Sequence, residues 1–294
     1  MLVQIVLPAI LVIIMFSLGL GLTWADFARV AREPKAFAVG AFNQVLVVPL
    51  VAFAMALAFG LPPAIAVGVL ILGFCPGGVL ANVTSKFANG NVPLSISLTA
   101  ITSLLAIVIM PVMVALSVRY FMGAEAPPVN VVGLGLQVFF LAAVPVVLGI
   151  IVTRLAPDLV ARYSGWVSRI AFGLFVVLIV AALASNWGVF VANIWTLGPA
   201  LVVMNALLLA IGLVTARAAN LSIRDATTVA IESGIQNGTL GIAVGMLIAG
   251  AGNTEAFPPY VLPTAIYSIT VWLLTLPFAF WRRSITAAPV TATA

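Results

Sequence analysis

The sequence predicts an all-α membrane protein with nine transmembrane helices, arranged as an inverted repeat with two discontinuous helices. Of its 294 residues, 64% are hydrophobic and only 6% are charged, whereas an ordinary soluble domain carries about a quarter charged residues. A soluble fold with so few charges could not cover its own surface, so most of that surface must face lipid. The spacing of the apolar runs and the placement of the basic residues then give the number and orientation of the helices.

Runs of roughly 20 apolar residues, the length that crosses a bilayer as a helix, recur along the whole chain. No hydrophilic stretch between them is long enough for a soluble domain, so residues 1–294 are predicted to form a single transmembrane domain. The apolar start lacks the basic residues of a signal peptide and is interpreted as a spanning helix. The nine predicted spans cover residues 3–22, 37–60, 64–86, 92–117, 131–152, 166–187, 198–219, 225–250 and 259–281.

The basic residues fall almost entirely on one side of the membrane when nine spans are counted. Arg119 alone falls on the other side, and cytoplasmic loops are the ones that collect lysine and arginine. The N-terminus is therefore predicted outside and the C-terminus in the cytoplasm, in a multi-pass protein of the cell inner membrane. Anionic lipid headgroups, rather than nucleic acid, are the natural partner of this charge. The residues predicted on the cytoplasmic side are Arg29, Arg32, Lys35, Lys86, Arg154, Arg162, Arg169, Arg217, Arg224, Arg282 and Arg283.

The third predicted span is interrupted near its middle by Pro76, Gly77 and Gly78. Proline removes a backbone hydrogen-bond donor and glycine weakens the turn that follows, so the helix is expected to unwind there. A plain proline kink is the alternative interpretation. Unwound backbone at membrane depth is tolerated only where it lines a protected cavity, so unwinding would indicate a binding site.

The eighth predicted span carries a polar cluster with two glycines near its middle, which runs from Glu232 through Ser233 and Gln236 to Asn237. The third and eighth spans are five apart in order and therefore cross the membrane in opposite directions. The three-span units centred on them are then inverted copies, each with an interrupted central member. Paired broken helices of this kind are the sequence feature that marks the binding site of a secondary transporter.

Glu232 is the acidic residue that lies within the core of a predicted span, and no lysine, arginine or histidine lies in a span core to neutralise it. A carboxylate at mid-membrane costs at least about 2.5–3.5 kcal/mol, so a proton or a bound cation is expected to compensate its charge. A permanently protonated, structural glutamate is the remaining alternative. Sodium, like other hard cations, prefers oxygen ligands, and the candidate oxygen-bearing side chains from other spans are Gln44, Asn82, Ser95 and Thr99.

Three stretches of the chain form an ordered pattern. They are Cys75-Pro76-Gly77-Gly78 with Asn82, Gly90-Asn91-Val92 with Leu94-Ser95, and Glu232-x-Gly234-x-Gln236-Asn237. In this order and spacing they resemble the bile acid:sodium symporter family, and the resemblance covers nearly the whole chain. It implies an inverted-repeat fold with two crossed, unwound helices, a core subdomain (about 37–117 and 198–281) and a panel subdomain (about 3–22 and 131–187). Bacterial members of the family often have an additional first helix, which the count of nine leaves out.

Carried over residue by residue, the resemblance implies two coupling sodium ions that share Glu232, so that its charge is never left uncompensated. Ala81 stands where the family often has serine, and Val79 where it often has threonine, which removes one sodium ligand and one hydroxyl on the substrate side. The first site would be formed by Asn82, Ser95, Thr99 and Glu232, and the second by Gln44, Glu232, Gln236 and the backbone oxygens of Ser233 and Ile235.

The half-helices that follow the two breaks begin near Val79 and Asn237, and helix N-termini offer unpaired N–H groups that suit a carboxylate. A small organic monoanion is therefore expected to bind between them, with Asn237 contributing a side-chain donor. The resemblance points to a bile acid or a smaller carboxylate such as pantoate, carried by sodium symport through alternating access. A monomer in the bilayer is compatible with this scheme.

Other functions remain open from the sequence. A proton-coupled carrier would use Glu232 as its titrating group, and a metalloid effluxer of related architecture would use Cys75 as a thiolate ligand, although a cysteine in an apolar helix is more often a packed residue. With one cysteine and no histidine, the chain can build neither an internal disulfide nor a His/Cys metal cluster. An enzyme is disfavoured because no second carboxylate lies in a span core. A channel is disfavoured because one site between broken helices suits occlusion.

Overall fold

A computed structural model describes residues 2–23, 33–125, 129–249 and 258–287. Every regular element within these ranges is helical, as the composition predicts. Six of the described helices are long and apolar enough to cross a membrane, or seven when the two halves of the bent third span are counted as one. The wider count of nine crossings, their directions and the sides on which the termini lie stay predictions.

Each predicted span corresponds to one helix or to a pair of half-helices. Short 3-10 turns at Gly123–Glu125 and Pro259–Val261 follow the fifth helix and precede the last. In chain order the helices are α1 (Leu2–Leu20), α2 (Pro34–Ala58), α3 (Pro63–Phe74), α4 (Val79–Phe87), α5 (Val92–Met122), α6 (Val131–Leu155), α7 (Pro157–Ser185), α8 (Trp187–Ala218), α9 (Ile223–Gly234), α10 (Gly238–Ala249) and α11 (Leu262–Ala287).

Two helix starts differ from the predicted ones. Helix α7 begins at Pro157 rather than near residue 166, and α8 begins at Trp187 rather than near residue 198. The prediction treated the charged stretch after Asp158 as a connection. Charges are nevertheless compatible with a helix that projects beyond the apolar layer, and Asp158 lies in the first turn of α7, where the helix dipole favours an acid.

Helices α2 and α6 each contain a π-helical turn that ends two residues before a proline. The turns are Asn43–Val47, before Pro49, and Phe139–Ala143, before Pro145. Proline has no N–H, and its ring collides with the carbonyl four residues earlier, so a locally wider turn accommodates it without ending the helix. The π-turn of α2 also contains Gln44, whose side chain reaches the break between α3 and α4.

Each of the main groups of helices is centred on one helix that contacts the others. Helix α1 packs along α6 and α7, whereas α3 packs on α2 and α5, and α8 packs on α9 and α11. Gly19 of α1 and Gly149 of α6 approach so closely that a Cβ on Gly149 would lie 2.7 Å from Gly19 Cα, which is typical of small-residue packing between membrane helices. The division into panel and core subdomains and the inverted repeat stay predictions.

Both predicted breaks are present, and they lie against each other. Helix α3 ends at Phe74 and α4 begins at Val79, with the two bent by 60°. The backbone N–H of Asn237, between α9 and α10, donates to the carbonyl of Pro76 at 2.7 Å. This hydrogen bond pairs two backbone groups that lipid could not satisfy. The third span is therefore unwound over several residues, and the plain kink is excluded.

Candidate functional site

Glu232 lies in the last turn of α9 with 4% of its surface exposed. Thr99 Oγ1 donates to its Oε2 at 3.1 Å, and Ser95 Oγ donates to its Oε1. Ser95 and Thr99 are both fully buried and lie one turn apart on α5, a spacing that places both hydroxyls on one face of the helix. Among the residues that the structure describes, no lysine or arginine forms an ion pair with this carboxylate.

Asn82, in the first turn of α4, completes this oxygen-rich cluster. As placed, its Oδ1 lies 2.8 Å from Ser95 Oγ and 3.3 Å from Thr99 Oγ1, although both hydroxyls already direct their single hydrogens to Glu232. With the amide turned over, Nδ2 would instead donate to Ser95 Oγ at 2.8 Å and to Glu232 Oε1 at 3.3 Å. In the turned orientation the amide of Asn82 has hydrogen-bond partners without an ion, whereas a cation would require the amide oxygen to face the cluster. Binding of a cation is therefore linked to the orientation of the Asn82 amide.

Gly77 is required by the close approach of the break to the carboxylate. A Cβ built on Gly77 would overlap Glu232 Oε2 and lie 3.4 Å from Thr99 Oγ1, whereas one on Gly78 would lie 3.7 Å from its nearest neighbour, Asn237 Cα. The unwound segment therefore passes directly over the carboxylate at its first glycine and leaves room at its second.

A second polar cluster surrounds the break after α9. Gln44 Nε2 donates to Gln236 Oε1 at 2.7 Å and to the carbonyl of Cys75 at 2.8 Å, and Gln236 Nε2 donates to the carbonyl of Ser233 at 2.7 Å. Gln44 Oε1 is buried without a hydrogen-bond partner in the described part of the chain. A buried acceptor left unpaired costs about 1–3 kcal/mol, which a bound cation or a water would recover. Ile235 lies in the break itself, between α9 and α10.

The end of α9 is held by side chains that sequence reasoning did not single out. Tyr267 Oη donates to the carbonyl of Gly234 at 2.7 Å, and Asn205 Nδ2 donates to the same carbonyl at 3.0 Å. Thr275 Oγ1 in turn donates to Asn205 Oδ1 at 3.3 Å. The last carbonyls of a helix have no intrahelical partners. These bonds therefore fix the peptide that connects Glu232 to the second cluster. The sequence does not reveal them, because the group that accepts them is a backbone carbonyl.

Two cavities meet at Asn237. One, of about 350 Å³, is lined by α1, α7, the two breaks and the starts of α4 and α10, and includes Val79. The other, of about 220 Å³, is almost entirely apolar and lies among α1, α5, α6 and α10. Asn237 Oδ1 accepts from the backbone N–H of Leu240 at 3.1 Å. The side chain therefore caps α10, which leaves its Nδ2 as the donor for a ligand.

Cys75 is fully buried, and its Sγ donates to the carbonyl of Ile71 at 3.2 Å. It lines neither of the cavities at Asn237. A Cβ on Gly241 would lie 3.3 Å from the sulfur, so the thiol is packed between α3 and α10. This packing does not favour the metalloid interpretation.

The structure thus brings the predicted residues into two adjacent clusters that share the break after Glu232. In comparison with known proteins, the profile of the sodium bile acid symporter family matches residues 8–193 of this chain. The chain belongs to this family. Sodium bile acid symporters are transporters, so the chain is a membrane transporter and not an enzyme.

Relatives of this chain within the family come from bacteria, plants and animals. It is 30% identical over 258 residues to an uncharacterized sodium-dependent transporter of Bacillus subtilis. The alignment covers 87% of this chain and 76% of the relative. It is 28% identical to a probable chloroplastic sodium/metabolite cotransporter of Oryza sativa, in an alignment that covers 92% of this chain and 62% of the relative. It is 30% identical to the ileal sodium/bile acid cotransporter of Homo sapiens, with 79% of this chain and 66% of the relative covered. The chain therefore spans less than two thirds of the rice protein.

Proposed function

We propose that this protein couples the inward movement of Na⁺ to the transport of an organic anion by alternating access. The observation that carries the proposal is the buried carboxylate of Glu232, surrounded by neutral hydroxyl and amide groups where two unwound helices meet. An isolated charge in such a place is tolerated only when it is compensated. The sodium dependence named for its relatives supports Na⁺ as the compensating ion.

Two sodium sites follow from the two clusters. In the first, Glu232 would bind Na⁺ together with Asn82, Ser95 and Thr99, and the Asn82 amide would present its oxygen. Ala81 adds no hydroxyl to this set. In the second, Gln44 Oε1 is the unpaired acceptor, and it would join Gln236, Glu232 and the carbonyls of Ser233 and Ile235.

Sodium and the anion would be coupled through the breaks. Ions in the two sites would hold the helices around them in one arrangement, because the first cluster joins α4, α5 and α9, and the second joins Gln44 of α2 to the break after α9. That arrangement also sets the N-termini of α4 and α10, where Val79 and Asn237 line the larger cavity. The N–H groups of the first turns of α4 and α10 that remain without a partner would bind the anion. Movement of the core helices against α1, α6 and α7 would then expose it to the opposite side.

The test compares sodium with potassium at constant pH and ionic strength. Purified protein is melted in either salt with taurocholate or pantoate as representative bile acid and small carboxylate. We expect a higher melting temperature in Na⁺, and a further rise with an anion only when Na⁺ is present. Equal melting temperatures in the two salts, together with uptake into proteoliposomes that follows a pH gradient instead, would show that a proton compensates Glu232.

A further inference from the structure

The larger cavity has polar groups at two separate places. One lies at the breaks, where Asn237 and Thr239 stand at the start of α10. The other lies on α7 and the facing turn of α1, where Ser168 Oγ is 3.2 Å from Ser17 Oγ and Arg169 follows directly. Between them the wall is apolar, formed by Ile14, Met15, Leu18, Leu80, Val83, Ala171, Phe172 and Phe175.

Arg169 is the charged residue among the described residues that line this cavity. Its side chain is exposed, and its guanidinium lies 5.2 Å from the ring of Trp166, one turn earlier on the same helix. Because Arg169 both lines the cavity and is exposed, rotation of its long side chain can bring the charge toward a ligand. A guanidinium presents a fixed fork of donors that matches a carboxylate or a sulfonate.

We propose that the cavity binds an organic dianion with an apolar spacer, and that Arg169 recognises the second anionic group while the breaks bind the first. The proposal rests on the proposed function, because it assigns the anion of that function to a chemical class. Each part of such a ligand has a counterpart: the N-termini at Asn237 for one charge, the apolar wall for the spacer and the guanidinium for the other charge.

The distance between the two charges can be derived from α7. Phe175 packs against the start of α10, since a Cβ on Gly238 would lie 2.9 Å from its ring. Arg169 lies six positions earlier on the same helix, which at 1.5 Å per residue is about 9 Å further along the cavity. A dicarboxylate with a short spacer would not reach both ends, so the preference should increase with spacer length.

The experiment measures how strongly matched mono- and dianions stabilise the purified protein in saturating Na⁺. The probes are octanoate and its dicarboxylate counterpart suberate, with succinate as the short dianion. An exposed arginine–carboxylate pair is weakened by solvent, so we expect suberate to half-saturate at a concentration about three- to tenfold lower than octanoate. Succinate should show no such advantage.

Three arginine variants test the assignment. Arg169→Gln should bring suberate and octanoate to equal potency, and Arg169→Lys, which keeps the charge, should retain most of the preference. Arg162→Gln is the matched control, because Arg162 lies on the same helix with its guanidinium over the ring of Tyr163 and does not line the cavity. A suberate preference that survives in Arg169→Gln, or a parent protein that prefers octanoate, would overturn the inference while leaving sodium-dependent anion binding intact. Failure of both Na⁺ and octanoate to stabilise the parent would instead reject the proposed function.

Discussion

Replacing Glu232 by glutamine is the most direct test of how the buried charge is compensated. The amide has the same shape, and an amide oxygen at the Oε1 position can still accept from Ser95 and, at 3.3 Å, from Thr99, but the negative charge is lost. Two unit charges about 4 Å apart attract by about 4 kcal/mol at an effective dielectric constant of 20. Because the amide oxygen retains part of this, we expect a loss of about 3 kcal/mol, which corresponds to about 100-fold weaker sodium binding.

The effect should reverse sign when sodium is removed. Without Na⁺, Glu232→Gln should be at least as stable as the parent, because it no longer buries an uncompensated carboxylate. With Na⁺ in excess it should be less stable, since the parent then gains RT ln(1 + [Na⁺]/Kd) and the variant does not. The two curves of melting temperature against sodium concentration should therefore cross or diverge from a common start.

The assay replaces choline chloride stepwise by sodium chloride, which keeps the ionic strength constant while melting temperature is recorded. Asp158→Asn is the matched control, because Asp158 is exposed in the first turn of α7 and its loss should leave the sodium dependence unchanged. If Glu232→Gln keeps the sodium dependence of the parent, the charge is not compensated by sodium and the reasoning is refuted.

Three further substitutions probe the geometry around this charge. Gly77→Ala should weaken sodium binding at least tenfold in the same assay and destabilise the protein by about 1–3 kcal/mol, because the new Cβ overlaps the buried carboxylate; Gly78→Ala, with room for a Cβ, should stay within threefold of the parent. Tyr267→Phe removes a buried hydrogen bond to the last carbonyl of α9 and should cost about 0.5–1.5 kcal/mol of stability and raise the half-saturating sodium concentration. Tyr260→Phe, whose hydroxyl lies 3.4 Å from the sulfur of Met122 and away from the site, should leave that concentration unchanged. Gln236→Ala should abolish cooperativity in ²²Na⁺ binding and leave one site; an unchanged binding curve would argue against a second ion.

The broken helices could be predicted from the sequence because their causes are local. Pro76 lacks a donor wherever the chain places it, and the glycines beside it weaken any turn they enter. The spacing of Ser95 and Thr99 likewise puts both hydroxyls on one helix face without reference to other helices. Helix starts were less well predicted, because Asp158 and Arg162 indicate a membrane boundary, and a helix can continue through that boundary.

The hydrogen-bond partners of the site residues could not be predicted from the sequence, because many of them are backbone atoms. The carbonyl of Cys75 accepts from Gln44, and the carbonyl of Gly234 accepts from Tyr267, yet every residue has a carbonyl and none of them is marked in the sequence. Arg169 illustrates the same limit for a side chain. The sequence places it among the basic residues near a membrane boundary, and only the packing of α7 against α1 places it in a cavity wall.

Composition, the placement of charge and the positions of proline and glycine are properties of the chain itself, and they determined a helical membrane protein with two interrupted spans and a single acid deep within one of them. Which groups surround that acid depended on the contact between the two breaks, where Asn237 N–H meets the Pro76 carbonyl. The physical reason is that hydropathy and helix propensity act over one or two turns, whereas the oxygen atoms around Glu232 come from α4, α5 and α9, which only packing brings together.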